Sequence, residues 1–148
     1  MANTLSSIGG VLHDSRANEL IIGGIKAPGT IGKAGETAGV LATGVFSTTD
    51  IDGSLDEFVG IILPAYHTDM DTVIAINKVV EIVVPQGGHL YGVRIETITD
   101  LAMGSPLYYH ATEPGALDDS ATLEAEHVAR TFRTAAAADN WGIVIWGV

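Results

Sequence analysis

The sequence predicts a mainly β protein, a small β-barrel or β-sandwich with little helix and an extended N-terminal arm. Short runs rich in Val and Ile recur along the chain, and Gly, Pro or Asp separates them, as in strands joined by turns. With 148 residues the chain is long enough for one well-buried domain. It has 18 glycines and no cysteine, so core packing or assembly must stabilise it in place of disulfides.

The first 30 residues are the predicted arm. They contain the pairs Gly9-Gly10 and Gly23-Gly24 with short apolar pieces around them. Because glycine loses more backbone entropy on ordering than any other residue, such a segment holds a fixed shape only when something else pins it. We therefore predict an arm over residues 1–30 and a single β-rich domain over residues 31–148. An edge strand from Glu19 to Ile25 is the open alternative.

The segment that follows predicts short strands. From Ile31 to Phe46 a glycine stands at every third to fifth position, which argues against a helix. Strands are predicted at Phe58–Leu63 and Val73–Ile76, with a polar connection between them.

The clearest strand pair is predicted at Val79–Val84 and Leu90–Ile98, on either side of a turn with one proline and two glycines. Alternation along the second strand places Tyr91, Val93 and Ile95 on one face, and this face is predicted to be buried.

The stretch Gly104–Tyr109 is predicted to lead into a further strand. Its consecutive residues Tyr108 and Tyr109 must then face opposite ways, one of them into the core. Helix propensity is highest from 121 to 138, but Val-Ala-Arg-Thr-Phe within it alternates as a strand does. We predict a strand at about 127–133, followed by an alanine-rich turn or a single helical turn.

A closing strand is predicted from Trp141 to Val148. Its two tryptophans, Trp141 and Trp146, lie on opposite faces of an extended chain. A small domain seldom buries both faces of a terminal strand, so we expect at least one of them to be exposed or at an interface.

Composition argues against two classes of partner. The formal net charge is −11, and only seven Lys and Arg are spread along the chain, so the basic surface that nucleic acid requires is absent. No apolar run approaches the roughly 20 residues of a membrane helix. The first residues also lack the basic and apolar regions of a signal peptide. We predict neither a nucleic-acid partner nor a membrane partner.

Two acidic segments resemble ion sites. Asp50, Asp52, Asp56 and Glu57 echo a calcium-binding EF-hand loop, but its central glycine and its final glutamate are missing. A solvated turn is the favoured interpretation, so no metal or cofactor is predicted, and these four carboxylates are the weak candidates. The alternating residues His67, Asp69 and Asp71 lack the further ligands of a metal site and are interpreted as a polar connection.

A catalytic triad can be written from Ser105, His110 and Asp118. However, the Gly-x-Ser-x-Gly elbow is absent and Pro106 directly follows the serine. An enzyme is therefore the least supported class, and no catalytic residue is predicted. A small cysteine-free β domain without a catalytic constellation is more typical of structural or binding proteins.

Several motifs follow one another between residues 79 and 148. They are the Gly-Ser-Pro-Leu-Tyr-Tyr stretch, an acidic loop, Val-Ala-Arg-Thr-Phe with its alanine run, and the closing Val/Ile strand. In this order they resemble the small capsid decoration (cement) proteins of tailed bacterial or archaeal viruses. The block from 31 to 78 departs from the pattern of that family.

The resemblance implies a β-rich, β-tulip-like core and a homotrimer. Such proteins, made in the host cytoplasm, typically sit on the outer surface of the virion at threefold and quasi-threefold positions of a shell built from HK97-fold subunits. The implied partners are the major capsid protein and further copies of this chain. An ion- or ligand-binding β domain and a head-fibre or host-attachment module are the alternatives.

Site residues also follow from the resemblance. Terminal arms of such proteins pair with capsid strands. The candidate capsid-binding residues of the arm are therefore Val11, Leu12, Leu20, Ile21 and Ile22. The candidate residues of the subunit interface are Tyr108, Tyr109, Trp141 and Trp146.

Overall fold

The structure, a computed structural model, describes residues 19–25, 32–40, 46–47, 58–64, 71–75, 78–97, 99–113, 115–121 and 126–148. Over these residues the chain is mainly β, with a single 3₁₀ turn at Ala137–Asp139. The β structure includes a strongly curled sheet that resembles half a barrel. The predicted fold class, a small β domain with little helix, is confirmed.

Two five-stranded sheets form the fold. The first contains β1 (Leu20–Ile25), β2 (Thr37–Val40), β3 (Phe46–Ser47), β4 (Phe58–Ile62) and β5 (Val79–Val84), in the order β1-β5-β4-β2-β3. The second contains β6 (Leu90–Arg94), β7 (Pro106–Tyr109), β8 (Leu117–Asp118), β9 (Ala129–Thr131) and β10 (Trp141–Trp146), in the order β6-β10-β9-β7-β8. The strands within each sheet pair antiparallel.

Both faces of the first sheet carry buried side chains. Ile61 and Val83 pair across β4 and β5, so their side chains share a face, and both belong to the larger core cluster. The second sheet contributes Tyr91, Val93, Leu107, Leu117 and Val144 to the same cluster. Ile62 and Ile82, on the other face, belong to a second cluster. Burial on both faces explains why β4 and β5 read as nearly continuous apolar runs.

One predicted strand is wrong. Residues 73–75, from the predicted strand Val73–Ile76, have no strand pairing. Instead, the Ile74 N–H donates to the Gly32 carbonyl at 2.7 Å, and the Ile74 side chain packs in the second cluster. The physical reason is that β4 already pairs with β5 and with β2, so neither of its edges is open. Ile74 thus covers the sheet without extending it, while Val73 remains exposed.

Leu20–Ile25, inside the predicted arm, forms an edge strand. β1 pairs with β5 through six residue pairs, from Leu20 with Val84 to Ile25 with Val79. The structure therefore shows the alternative that the sequence left open for this segment. Residues 1–18 and 26–31, which make up the rest of the predicted arm and its junction, lie outside the described residues.

Other predicted strands are confirmed. β5 has the predicted bounds, and Tyr91, Val93 and Ile95 are buried as expected. The strand that begins at Leu90 ends at Arg94, earlier than predicted, and Ile95 forms an isolated parallel bridge with Leu117. The strand predicted at 127–133 is present as β9, and a 3₁₀ turn follows it.

A buried carboxylate joins the start of β1 to the second sheet. Glu19 Oε1 lies 2.6 Å from His89 Nδ1, and Glu19 Oε2 accepts a 2.7 Å hydrogen bond from the Tyr91 hydroxyl. The same hydroxyl accepts the Gln86 N–H at 2.9 Å. Burial raises the pKa of Tyr91 far above its ordinary value. The hydroxyl therefore stays protonated, and able to donate to Glu19, even at pH values where an exposed tyrosine would ionise.

Tyr91→Phe is expected to lower the free energy of unfolding by about 1–3 kcal/mol, because two hydrogen bonds of buried groups are lost. Urea denaturation measures this change. Tyr108→Phe is the matched control, since the described residues form no hydrogen bond with the Tyr108 hydroxyl. Equal losses in both variants would contradict a stabilising role for the Glu19 network.

Candidate functional site

A tight turn before β2 forms one wall of a cleft between the sheets. Gly35 has a φ of 86°, a conformation that favours glycine. The Lys33 N–H donates to Glu36 Oε2 at 2.9 Å, so the glutamate side chain folds back onto its own turn. The Gly35 N–H donates to the Ile62 carbonyl at 2.9 Å. These bonds hold the turn against the first sheet.

Arg94, the last residue of β6, forms the opposite wall. It is only 7% exposed. Its Nε donates to the Ala34 carbonyl at 3.0 Å, and its Nη1 lies 2.8 Å from Asp71 Oδ1. The backbone N–H of Arg94 also donates to the Gly35 carbonyl at 2.8 Å. Arg94 therefore connects the second sheet to the turn of the first.

The ion pair of Arg94 with Asp71 is a weak part of this connection. The Asp71 side chain is 76% exposed, so water and salt screen its charge. The carbonyl of Ala34 is the more buried partner and also fixes the plane of the guanidinium. A buried arginine is uncommon unless its donors are paired, and these contacts meet that need.

Between the two walls lies a cleft with a volume of about 210 Å³. Its lining residues are mostly charged: Lys33, Glu36, Asp71, Arg94, Glu96, Glu113, Ala116 and Asn140. Four of them are carboxylates and two are cations. The lining therefore carries more negative than positive groups, both when Glu36 is ionised and when it is protonated.

Glu36 has the most perturbed acid–base behaviour in the cleft. It is 7% exposed, and burial raises its pKa to about 7. The hydrogen bond from Lys33 and the positive charges of Arg94 and Lys33 lower this pKa, but burial outweighs them. Its other carboxylate oxygen accepts no hydrogen bond within the described residues. Glu36 therefore exchanges its proton close to neutral pH.

Gly115 packs closely against the Glu36 side chain. A Cβ at position 115 would lie 2.8 Å from the Glu36 Cβ, and the φ of Gly115 is 84°. The Gly115 carbonyl accepts the Thr37 N–H at 2.7 Å and the Thr37 Oγ1 at 3.1 Å. The loop before β8 thus fixes the position of Glu36 through direct backbone contact.

This arrangement is suited to binding a charged group. A carboxyl whose pKa is near 7 can accept or release a proton, which is also what acid–base catalysis requires. Among the described residues that line the cleft, however, there is no Ser, Thr, Cys, His or Tyr that could act as a nucleophile beside it.

The residues of the candidate triad are not brought together. Ser105 and His110 stand at opposite ends of β7, and Ser105 Oγ donates to the Ala102 carbonyl at 2.8 Å. His110 Nδ1 accepts the N–H groups of Thr112 at 3.1 Å and Glu113 at 3.0 Å. That nitrogen is occupied, so it cannot take a proton from a serine. His110 Nε2 lies 3.8 Å from Asp118 Oδ2, where burial raises the pKa of the aspartate.

Two predicted interface residues belong to the core. Tyr109 and Trp146 are buried in the larger cluster, at 2% and 9% exposed, so little of their side-chain surface is open to a second subunit. The subunit interface stays a prediction, and Tyr108 and Trp141, which are half-buried, are its more accessible candidates. The Tyr108 ring meets the His127 ring edge to face at 6.3 Å. Of the two tryptophans, Trp146 is buried and Trp141 is partly exposed, so the expected exposed tryptophan is found only in part.

The other predicted site residues are only partly described. Leu20 and Ile21 are 58% and 51% exposed. The residues outside the description are Val11, Leu12, the side chain of Ile22, Asp50, Asp52, Asp56, Glu57, His67 and Asp69. In the part of the chain that is described, no group of three or more His, Cys, Asp or Glu is arranged to hold a metal ion. No helix among the same residues is long and apolar enough to cross a membrane.

Neither a protein-family model nor a curated protein matches this chain. The cleft is therefore interpreted from its own geometry. Sequence reasoning missed Glu36, Glu113 and Asn140, and it placed Arg94 on the outward face of its strand. One signal was available for Arg94, which stands inside the apolar run Leu-Tyr-Gly-Val-Arg-Ile. A charge within such a run indicates a buried partner.

Proposed function

We propose that the protein is a structural virion protein that binds the exterior of an assembled capsid and stabilises the shell. In this proposal it acts as a homotrimer at threefold or quasi-threefold positions, and the major capsid protein is its partner. The resemblance of residues 79–148 to capsid decoration proteins is the basis. One observation supports it further: three motifs of that resemblance become β7, β9 and β10, which are neighbours in the second sheet.

An exposed apolar strand supports a contact with the shell. In β1, Leu20 and Ile21 are each more than half exposed, and Val79, which pairs with the end of β1, is 72% exposed. Leu20 and Ile21 lie near one end of this edge strand and Val79 lies beside its other end, and exposed large apolar side chains of this kind indicate an interaction surface. An edge strand can also accept a strand from a partner through main-chain hydrogen bonds.

The proposed mechanism is energetic. A protein that binds only the assembled shell adds its binding free energy to the stability of that shell. Many copies, each bound through several contacts, add to the reinforcement through multivalency. The net charge of −11 opposes contact with nucleic acid, in keeping with a place on the outside.

Co-sedimentation with emptied capsids of the same virus tests the proposal. The intact protein is expected to sediment with the shell, and Leu20→Ser combined with Ile21→Ser is expected to weaken binding roughly tenfold or more, because the apolar contact is lost. Met103→Ser is the matched control. Met103 is also an exposed apolar residue, but it precedes β7 of the second sheet and is not part of β1. Removal of residues 1–18 keeps β1 and tests the remaining arm.

Sedimentation equilibrium of the free and shell-bound protein tests the trimer. Failure of the intact protein to bind capsids would contradict the proposed function. Undiminished binding after both changes, the β1 substitutions and the removal of residues 1–18, would contradict only the assignment of the capsid contact to these segments. A strictly monomeric protein bound at other capsid positions would contradict the threefold arrangement.

A further inference from the structure

We propose that the cleft between the two sheets binds a primary ammonium group, such as the end of a lysine side chain. The inference concerns the residues that line the cleft and does not depend on the proposed virion function. It follows from the balance of charge in the cleft, from the partners that Glu36 lacks, and from the size of the space.

The charges that remain unmatched in the cleft are mostly negative. Arg94 already directs its donors to the Ala34 carbonyl and to Asp71. Among the described lining residues, this leaves the carboxylates of Glu36, Glu96 and Glu113 with one further cation, Lys33. Such a concave surface attracts a cation and repels an anion.

Glu36 provides the specific contact. Only 7% of the residue is exposed, and within the described residues the one hydrogen bond of its side chain is that from the Lys33 N–H to Oε2. Within the described residues Oε1 has no donor. A buried carboxylate oxygen without a donor is costly, and a cationic N–H group at this position supplies both a hydrogen bond and a compensating charge.

The geometry favours an ammonium over other cations. A guanidinium binds best to both oxygens of one carboxylate, but Oε2 of Glu36 is occupied by the backbone, whereas an ammonium is a compact single-point donor. Metal ions need several convergent ligands, and the described residues contain no such group. A volume of about 210 Å³ also falls below the roughly 300–1,000 Å³ of pockets for drug-sized ligands.

Binding is linked to pH through Glu36. The charged groups around it are Lys33 on its own turn, Arg94 and Glu96 from the second sheet, and Asp71 and Glu113 at the rim. Burial raises the pKa of Glu36 to about 7, so the carboxyl is mostly neutral at pH 5 and mostly ionised at pH 8.5. A cation binds the ionised form, so its affinity rises across this range.

The test is a titration of the isolated protein with butylammonium chloride at pH 8.5 and at pH 5, followed by backbone amide NMR. The amide signals of Gly35, Glu36 and Gly115 are expected to shift at pH 8.5. The dissociation constant is expected to be about tenfold higher or more in Glu36→Gln, because one charge-assisted hydrogen bond is lost. The dissociation constant of the wild type is likewise expected to be higher at pH 5 than at pH 8.5.

Three controls accompany the titration. Glu81→Gln changes an exposed glutamate on β5 and is expected to leave the dissociation constant unchanged. Sodium chloride at the same ionic strength and neutral butanol are expected to cause no shift at these amides. If Glu36→Gln does not fold, Glu113→Gln at the rim replaces it in the test. Its dissociation constant for butylammonium is expected to be about threefold higher than that of the wild type.

The inference is overturned if butylammonium binds wild type and Glu36→Gln equally, or if butanol or sodium chloride produces the same shifts. A capped Gly-Lys-Gly peptide identifies the source of the ammonium. Tighter binding of the peptide than of butylammonium supports a lysine of a partner protein, and binding of butylammonium alone supports a small amine. The titration contains no capsid, so a negative result would not contradict the proposed virion function.

Discussion

Glu36→Gln is expected to stabilise the protein at pH 8.5 by up to about 3 kcal/mol and to leave its stability near pH 4 unchanged. The folded-state pKa of Glu36 is about 7, against an ordinary value of 4.5. Below pH 4.5 the folded and unfolded chains both hold the proton, so burial of the acid carries no penalty. As the pH rises from 4.5 to 7 the stability of the wild type falls, and above pH 7 the whole penalty applies.

Urea denaturation of both proteins across this pH range measures the effect. Glutamine keeps an oxygen for the Lys33 N–H but carries no titratable proton, so the variant should lack this part of the pH dependence. Burial also raises the pKa of Asp118, and its contribution, of the same sign, remains in both proteins. Glu81→Gln is the control. A stability difference that does not change with pH would contradict the raised pKa of Glu36.

Gly60→Ala is expected to lower the free energy of unfolding by about 3 kcal/mol. A Cβ at this position would lie 2.3 Å from the Val83 carbonyl oxygen and 2.4 Å from the Ile82 Cγ2. The oxygen belongs to the backbone of β5, which pairs with β4 at Ile61 and Val83. It cannot move away without disturbing that pairing. Thermal unfolding should show a fall in Tm of roughly 6–12 °C for a domain of this size.

Gly23→Ala is the matched control for this prediction. It makes the same change in the same sheet, but a Cβ at Gly23 would meet no atom within 4 Å. Alanine lowers the conformational entropy of the unfolded chain, so this variant should be as stable as the wild type or slightly more stable. A Tm of Gly60→Ala within about 2 °C of the wild type would contradict the close approach of the two strands.

Strands that the sequence defined well have a clear local pattern. Val79–Val84 is nearly all β-branched, and the alternation of Tyr91, Val93 and Ile95 directly encodes one buried face. Both features can be read within a few residues. The apolar residues around Val73 carry a similar local pattern, but whether they pair with a strand or cover a sheet depends on which strand edges are already occupied.

The cleft could not be predicted because its residues are distant in sequence. Alternation correctly placed Arg94 opposite the core face of β6, and an outward residue would ordinarily meet solvent. Its burial depends on the turn at Lys33 to Glu36, which reaches it from the other sheet. The raised pKa of Glu36 depends in turn on Gly115, which packs against its side chain. The apolar run around Arg94 indicates that its charge has a buried partner, but it does not encode which residues supply the contacts.

The position of β10 has a consequence for the order of events during protein synthesis. β10 lies between β6 and β9, and among the described strands β6 has no other neighbour in the second sheet. While the ribosome makes the chain, β7, β8 and β9 can pair with one another, but β6 must wait until β10 has emerged. We expect the core around Tyr91 and Val144 to close in one late step, which makes folding slow compared with that of a protein built from neighbouring hairpins.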